Sequence, residues 1–341
     1  MIALRRDILG MVGAMALGLL ALPLSGQSPP VIDMHLHALG ANDQGPAPLA
    51  MCTPFVGFPA WDQRGPYAQA FIGVLKQPRC DDPIWSPESD AELRDQTIDV
   101  MERHNVFGVL SGPTGRVDEW QEAAPGRFIA GLGFRLFPDT PSPDSLSRLV
   151  ESGSLEVLAE ITTQYQGIAP DDPRMAPYWA MAEEMDLPVG IHMGPGPPGG
   201  IYLGQTPYRA GLSSALLLED VLVRHPGLRL YVMHAGFPLL DDMMALLYAH
   251  PQVYVEVGVI VVTRPRTDFY RYLRALVDAG FEDRIMFGSD QMVWPAMIER
   301  GIRTIEEAPF LSEDQKRAIL YDNAARFLRL SDAERNRHWG R

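Results

Sequence analysis

Lysine is almost missing from this 341-residue chain: Lys76 and Lys316 are the only two, and arginine supplies the remaining basic charge. The balance is acidic, with a formal net charge of −14. No basic stripe runs along the sequence, which excludes nucleic acid and anionic membrane surfaces as natural partners. Cysteine is equally scarce. Cys52 and Cys80 are the only ones and neither sits in a CxxC pair, which argues against a thiolate metal site. No glycine-rich phosphate fingerprint follows the first strand-like segment, so a dinucleotide-binding sheet lacks its signature. What the chain does have is 46% hydrophobic residues, enough for one large domain with a filled core.

Residues 1–26 read as an export signal. Arg5 and Arg6 precede the apolar run "ILGMVGAMALGLLALPL", and "SGQSPP" offers small, turn-forming residues for cleavage near Gly26. The stretch "RRDILG" resembles a twin-arginine signal. A membrane anchor is the competing reading, since the run approaches the roughly 17 residues that span a bilayer. The polar, Pro-rich sequence that follows favours cleavage. The mature protein is then expected to be periplasmic or secreted, with no stable membrane association. That compartment permits disulfides, and a Cys52–Cys80 bridge would pin an irregular stretch rich in glycine and proline.

From residue 90 onward, helical and strand-like patterns alternate with short connections, the signature of βα units and a parallel sheet. The apolar runs "VIDMHLH", "VFGVLSG", "RFIAGLGF", "LEVLAEITT", "LPVGIHMG", "LRLYVMHAG", "VYVEVGVIVV" and "RIMFGSD" make eight strand candidates. Each is apolar on both faces, as fully buried parallel strands are. Eight such units in one domain, over residues 27–335, predict an α/β fold of the (β/α)8 barrel type. A doubly wound open sheet is the runner-up. Residues 39–89 interrupt the pattern and are expected to form a lid-like insertion leaving the carboxyl end of strand one.

The histidines then sort themselves. His35, His37, His192 and His234 fall within or at the carboxyl ends of predicted strands one, five and six, whereas His104, His225 and His250 precede strands. In a barrel the first group converges on the catalytic face. Side chains at i and i+2 of a strand share a face, so His35 and His37 point together into the mouth. Imidazoles from two strands suit Zn(II) or a similar divalent ion. Asp33 lies two residues before His35 and reads equally as an orienter of a histidine or as a turn aspartate. Asp290 ends strand eight, where it reads as metal ligand or general base rather than only as a helix N-cap. Glu160 on strand four reads either as a carboxylate paired with an arginine or as one facing a cation at the mouth.

In this order, HxH, His, His and Asp on strands one, five, six and eight resemble the amidohydrolase superfamily. "VIDMHLH", "VGIHMG", "YVMHAG", "IMFGSD" and "YDNAARFLRL" are similar to its amidohydrolase-related branch, which includes aminocarboxymuconate-semialdehyde decarboxylase and lactone-hydrolysing enzymes. The resemblance spans about Val31 to Leu330. It implies a TIM barrel with His35, His37 and His192 as metal ligands and Asp290 as ligand or proton acceptor. His234 would position the attacking water or the substrate carbonyl, or would bind metal in a two-ion member. No lysine lies on a predicted strand, so a carboxylated-lysine bridge is excluded and Glu160 is the residue that decides between one ion and two. Zn2+ is the first choice of ion and Mn2+ the second.

The activity this implies is hydrolysis of an amide, ester or lactone bond in a small molecule, on water activated by the ion. Decarboxylation of an aromatic or enolic acid on the same site is the alternative, and a non-catalytic metal- or solute-binding barrel the third reading. Export favours hydrolysis over an intermediate decarboxylation step. Substrate contacts are expected from Tyr208 and Arg209 after strand five and from Arg264 and Arg266 after strand seven. Homo-oligomerisation stays open.

Overall fold

The computed structural model describes residues 28–341 apart from 139, 195, 205 and 206, so the expected export signal lies outside the described residues. Eight parallel strands follow one another in chain order around a TIM barrel. They are β1 (Val31–His37), β2 (Val106–Ser111), β3 (Phe128–Phe134), β4 (Val157–Ile161), β5 (Val189–His192), β6 (Leu230–Met233), β7 (Tyr254–Glu256) and β8 (Ile285–Met286). The circle closes where Met34 N donates to Phe287 O at 3.0 Å and Asp290 N to His35 O at 3.0 Å. Among the described residues no helix is long and apolar enough to cross a membrane.

The strands form because their residues are buried on both faces, as every residue of β2, β5 and β6 is. Between strands and outer helices lies the larger core, with Leu110, Ile191, Val232, Phe269 and Ile298 among its members. A smaller cluster holds Ile32, Met34, Val157, Tyr231 and Met286 against Tyr321, Ala324 and Phe327 of the C-terminal segment. Tyr231 needs the bare Gly190 beside it: a Cβ there would come within 2.4 Å of the tyrosine ring. Helices start where the sequence says they should. Ser89 and Glu92, for example, make a capping box at the head of Asp90–Arg103.

Two strands are shorter than their apolar runs suggest. The run "VYVEVGVIVV" leaves the sheet after Glu256 and turns at Val259, whose φ is 54°, into the short helix Ile260–Thr263. Period-two apolarity cannot distinguish a strand from a buried turn of helix, which is why the run reads as one element. "RIMFGSD" likewise pairs with β7 only over Ile285–Met286, and its end is held by β1 instead.

The insertion has structure of its own. Ala50–Met51 and Ile84–Trp85 pair antiparallel, and the helix Tyr67–Lys76 lies between them. Cys52 and Cys80 form a disulfide with their Cα atoms 5.9 Å apart. Leu49, Phe55, Leu75 and Ile84 are buried in the larger core, and Trp294 Nε1 donates to Leu49 O at 2.9 Å. Trp61 and Tyr67 instead face the loop after β5. The Trp61 ring lies 4.6 Å from that of Tyr202, and Tyr67 donates to Pro198 O at 3.1 Å. The insertion thus adds to the larger core on one side and roofs the β5 loop on the other.

Candidate metal centre

Chain ends of the strands bring six residues together: His35 and His37 from β1, Glu160 from β4, His192 from β5, and His234 and Asp290 just beyond β6 and β8. They form three overlapping groups: His35, His234 and Asp290; His35, His37 and Glu160; and Glu160, His192 and His234. Within each group the potential ligand atoms lie within 4.8 Å of one another. Glu160 Oε1 is at the centre, 3.9 Å from His35 Nε2, 3.7 Å from His192 Nε2 and 3.7 Å from His234 Nε2. Asp290 Oδ1 lies 3.0 Å from His37 Nε2 and 3.6 Å from His35 Nε2. Every ligand-type residue expected from the sequence is in this cluster.

The backbone is bent to achieve it. His234, Ala235, Val259 and Asp290 all take positive φ, 57°, 49°, 54° and 51°. Non-glycine residues rarely adopt this region, and for a β-branched valine it is strained. The strain is concentrated where β6, β7 and β8 deliver side chains to the mouth, as is common at functional sites.

Hydrogen bonds decide which nitrogen of each ring faces the cluster. His35 gives Nδ1 to Glu256 Oε2 at 3.1 Å, so its Nε2 faces the cluster. That Nε2 is buried and has no hydrogen-bond partner. His234 gives Nδ1 to Gly258 O at 2.9 Å, which again leaves Nε2 toward Glu160. An acceptor behind Nδ1 is the arrangement that metal-ligating histidines use. His192 is set differently. The Gln164 amide nitrogen donates to Gly194 O at 2.8 Å and to His192 Nδ1 at 2.7 Å, which places the proton of the ring on Nε2, 2.7 Å from the Tyr165 hydroxyl. Ligation through that atom would require the ring proton to move to Nδ1 and the Tyr165 hydroxyl to give up its hydrogen bond.

The charges are poised for a cation. Burial opposes ionisation of Glu160, yet His192, His234 and His35 hold its pKa down at about 2. Burial opposes it at Asp290 as well, but His35 and His37 keep that carboxyl well below the usual carboxylate range. Burial disfavours charge on His35, and Asp290 and Glu256 outweigh it to raise the pKa to about 10. At His192 burial wins over Glu160 and the pKa falls to about 3. Two anionic carboxylates thus face the imidazoles, and they push both His35 and His234 toward the protonated form. The donor set, the orphaned Nε2 and the two ionised carboxylates all fit a divalent ion of the Zn2+ or Mn2+ kind.

Asp33 does not orient a histidine ring. Its Oδ1 accepts from the backbone nitrogens of His35 at 3.0 Å and Ser289 at 2.9 Å, which ties β1 to the segment after β8. Burial raises its pKa to about 7, more than those hydrogen bonds lower it. Of the expected substrate contacts, Tyr208 is buried, bonded to Ser213 Oγ at 2.9 Å and 5.9 Å from the Tyr165 ring. Arg209 donates to Tyr208 O at 2.7 Å. Arg264 pairs with Asp268 at 3.0 Å and Arg266 with Glu307 at 2.9 Å, so both of these charges already have carboxylate partners.

Four residues of the site escape the sequence reading. Glu256 is the only charge in an apolar strand, which is itself a signal that a buried partner exists. Gln291 clamps the His37 backbone, accepting from His37 N at 2.9 Å and donating to His37 O at 2.8 Å. Gln164 and Tyr165 come from a short 3-10 turn, Thr163–Gln166, that no periodicity announces.

Solved structures with this architecture were found by comparison. The chain is similar to an uncharacterised TIM-barrel protein of Bordetella bronchiseptica, at 16% identity and a TM-score of 0.61, over 92% of this chain and 100% of that one. It is also similar to a probable 2-pyrone-4,6-dicarboxylic acid hydrolase of Acinetobacter baumannii, at 15% identity and a TM-score of 0.56, over 88% and 99% of the two chains. A third likeness is 5-carboxyvanillate decarboxylase of Novosphingobium aromaticivorans, solved with manganese and 4-hydroxy-3-methoxy-5-nitrobenzoic acid. It shares 15% identity and a TM-score of 0.55, over 89% and 97% of the chains. No curated protein matches the chain. At such identities the likenesses speak for the (β/α)8 fold alone. The amidohydrolase family model, however, matches residues 32–330. The chain belongs to the amidohydrolase family.

Proposed function

We propose that the protein is an exported metal-dependent hydrolase that cleaves an ester, lactone or amide bond of a small molecule. The observation that carries this is His35 Nε2, buried, without a hydrogen-bond partner and aimed at two ionised carboxylates. A divalent ion held by His35, His37, His192 and Asp290 would lower the pKa of a water toward neutrality and polarise a carbonyl. Glu256 and Gly258 O keep the rings of His35 and His234 turned with Nε2 inward. Asp290 takes the proton of the attacking water and returns it to the leaving group. His234 stabilises the charge that develops on the substrate oxygen.

Decarboxylation is the second reading, favoured by the decarboxylase that shares the fold and was solved with manganese. Zn2+- or Mn2+-loaded protein assayed on lactones, esters, amides and aromatic acids separates the two. The expected result is bond hydrolysis that falls about 100-fold or more in Asp290→Asn while the bound metal is largely retained. Carbon dioxide release without hydrolysis overturns the first reading in favour of the second.

A further inference from the structure

One guanidinium at the barrel mouth is built for a ligand. Arg135 follows β3 directly, on the face where the metal cluster lies. Its Nε donates to Thr162 Oγ1 at 3.2 Å, and its Cζ sits 5.1 Å from the centre of the Tyr165 ring. The Tyr165 hydroxyl in turn reaches His192 Nε2 at 2.7 Å, so one aromatic ring separates Arg135 from the cluster. The main chain under it is fixed as well. Thr140 Oγ1 donates to Arg135 O, and Gln166 brackets Leu136 by accepting from its N at 2.8 Å and donating to its O at 3.0 Å.

This arrangement leaves the two terminal nitrogens of Arg135 without a hydrogen-bond or ion-pair partner among the described residues, whereas Arg264 and Arg266 are each matched to a carboxylate. Long surface arginines are usually mobile, and ordering one costs side-chain entropy. Here packing and hydrogen bonds already impose that order, and the fork of donors stays open. Such a fork matches a planar carboxylate in bidentate fashion. The surroundings agree, because Tyr165 and Tyr208 stand edge to face at 5.9 Å and offer an apolar wall beside the charge.

We infer that Arg135 is the substrate-specificity residue of the site, and that the small molecule it takes carries a carboxylate remote from the bond that reacts. This rests on the proposed use of the cluster as a metal-dependent catalytic centre. One end of the substrate meets the cluster, its body lies along Tyr165, and its carboxylate is held by the Arg135 fork.

Binding of two probes to the metal-loaded protein tests it without any turnover. 3-Carbamoylbenzoate and benzene-1,3-dicarboxamide differ only in whether the second group is an anion or a neutral amide. Isothermal titration is expected to show wild type binding the carbamoylbenzoate about 10-fold or more tightly than the diamide. Arg135→Gln should shrink that preference to within about 3-fold, and Arg135→Lys, which keeps the charge but not the fork, should fall between. Metal content and circular dichroism of both variants report whether they fold, and the lysine variant decides if the glutamine one does not. Equal affinity in wild type, a preference that survives both substitutions, or no binding of either probe overturns the inference. Preference for the carbamoylbenzoate with no turnover of any ester, lactone or amide would sink the hydrolase reading alone. Turnover without that preference would sink the role of Arg135 alone.

Discussion

His35 and Glu256 form a buried pair, Nδ1 to Oε2 at 3.1 Å, in which neither side chain has measurable contact with solvent beyond 1%. Glu256 Oε1 also accepts from Gly258 N, so the carboxylate is held from two sides and cannot swing away. The pair fixes the tautomer of His35 and thereby aims Nε2 at the cluster. Glu256→Gln keeps the shape but removes the charge that raises the basicity of the ring. Metal affinity, measured by competition with a chelator, is expected to fall about 10- to 100-fold. Activity at low metal should fall with it and return when excess metal is supplied. Unchanged affinity would mean that Glu256 only packs.

Glu160 sits between two sets of donors. On one side are His35, His37 and Asp290; on the other are His192 and His234. Six donors exceed the four that a single tetrahedral ion uses, and the central carboxylate touches both sets. Wild-type protein is therefore expected to hold about two ions per chain by elemental analysis, falling to about one in Glu160→Gln. One ion in both proteins would reject the bridging role. Retention of the second ion in the variant would show that the two histidines hold it unaided.

Much of this arrangement was legible in the sequence, for a definite physical reason. Strand periodicity places His35 and His37 on one face, and βα alternation sends the carboxyl end of every strand to one mouth. His192, His234, Glu160 and Asp290 are then neighbours by topology, whatever the details of packing. What escaped depends on side-chain reach rather than on period. Gln164, Tyr165, Arg135 and Gln291 stand in turns, where no pattern tells which way a residue points. Glu256 was hidden by its own strand, since the apolar run looked continuous and the turn at Val259 is set by tertiary contacts. The cysteines were easier, being the only two in an insertion whose closure needs them near each other.

His338 gives the fold an acid sensitivity far from the mouth. Its ring stacks on Phe107 at 3.7 Å between centroids, and its Nδ1 meets the Tyr321 hydroxyl at 3.1 Å. Burial first, and then the charges of Arg337 and Arg127 against that of Glu334, lower its pKa to about 4. The unfolded chain would protonate the same ring near pH ~6.5. Stability is therefore complete above that value and declines as pH falls toward 4, because only the unfolded state takes up the proton in that window. His338→Gln cannot titrate. Urea midpoints at pH 7.5 and pH 5 are expected to drop further in wild type than in His338→Gln. Equal drops would show that the ring does not control the acid limb.

The disulfide closes a loop with a sequence separation of 28 residues, and that loop carries Trp61 and Tyr67 against the loop after β5. Closing a loop of this size removes about 3.5 kcal/mol of chain entropy from the open state. The flanks are anchored independently, since Leu49 O accepts from Trp294 and Leu49 N donates to Ser86 Oγ at 2.9 Å. Loss of the bridge should therefore loosen the segment between the cysteines and leave the barrel folded. The intact protein is expected to titrate no free thiol without a reductant. Cys52→Ser/Cys80→Ser should be cut by protease between residues 53 and 79 about 10-fold faster or more, with metal content unchanged, because local opening and not global unfolding exposes the cleavage sites. Equal cleavage rates would place the stability of the roof in the aromatic contacts of Trp61, Tyr67 and Tyr202 instead.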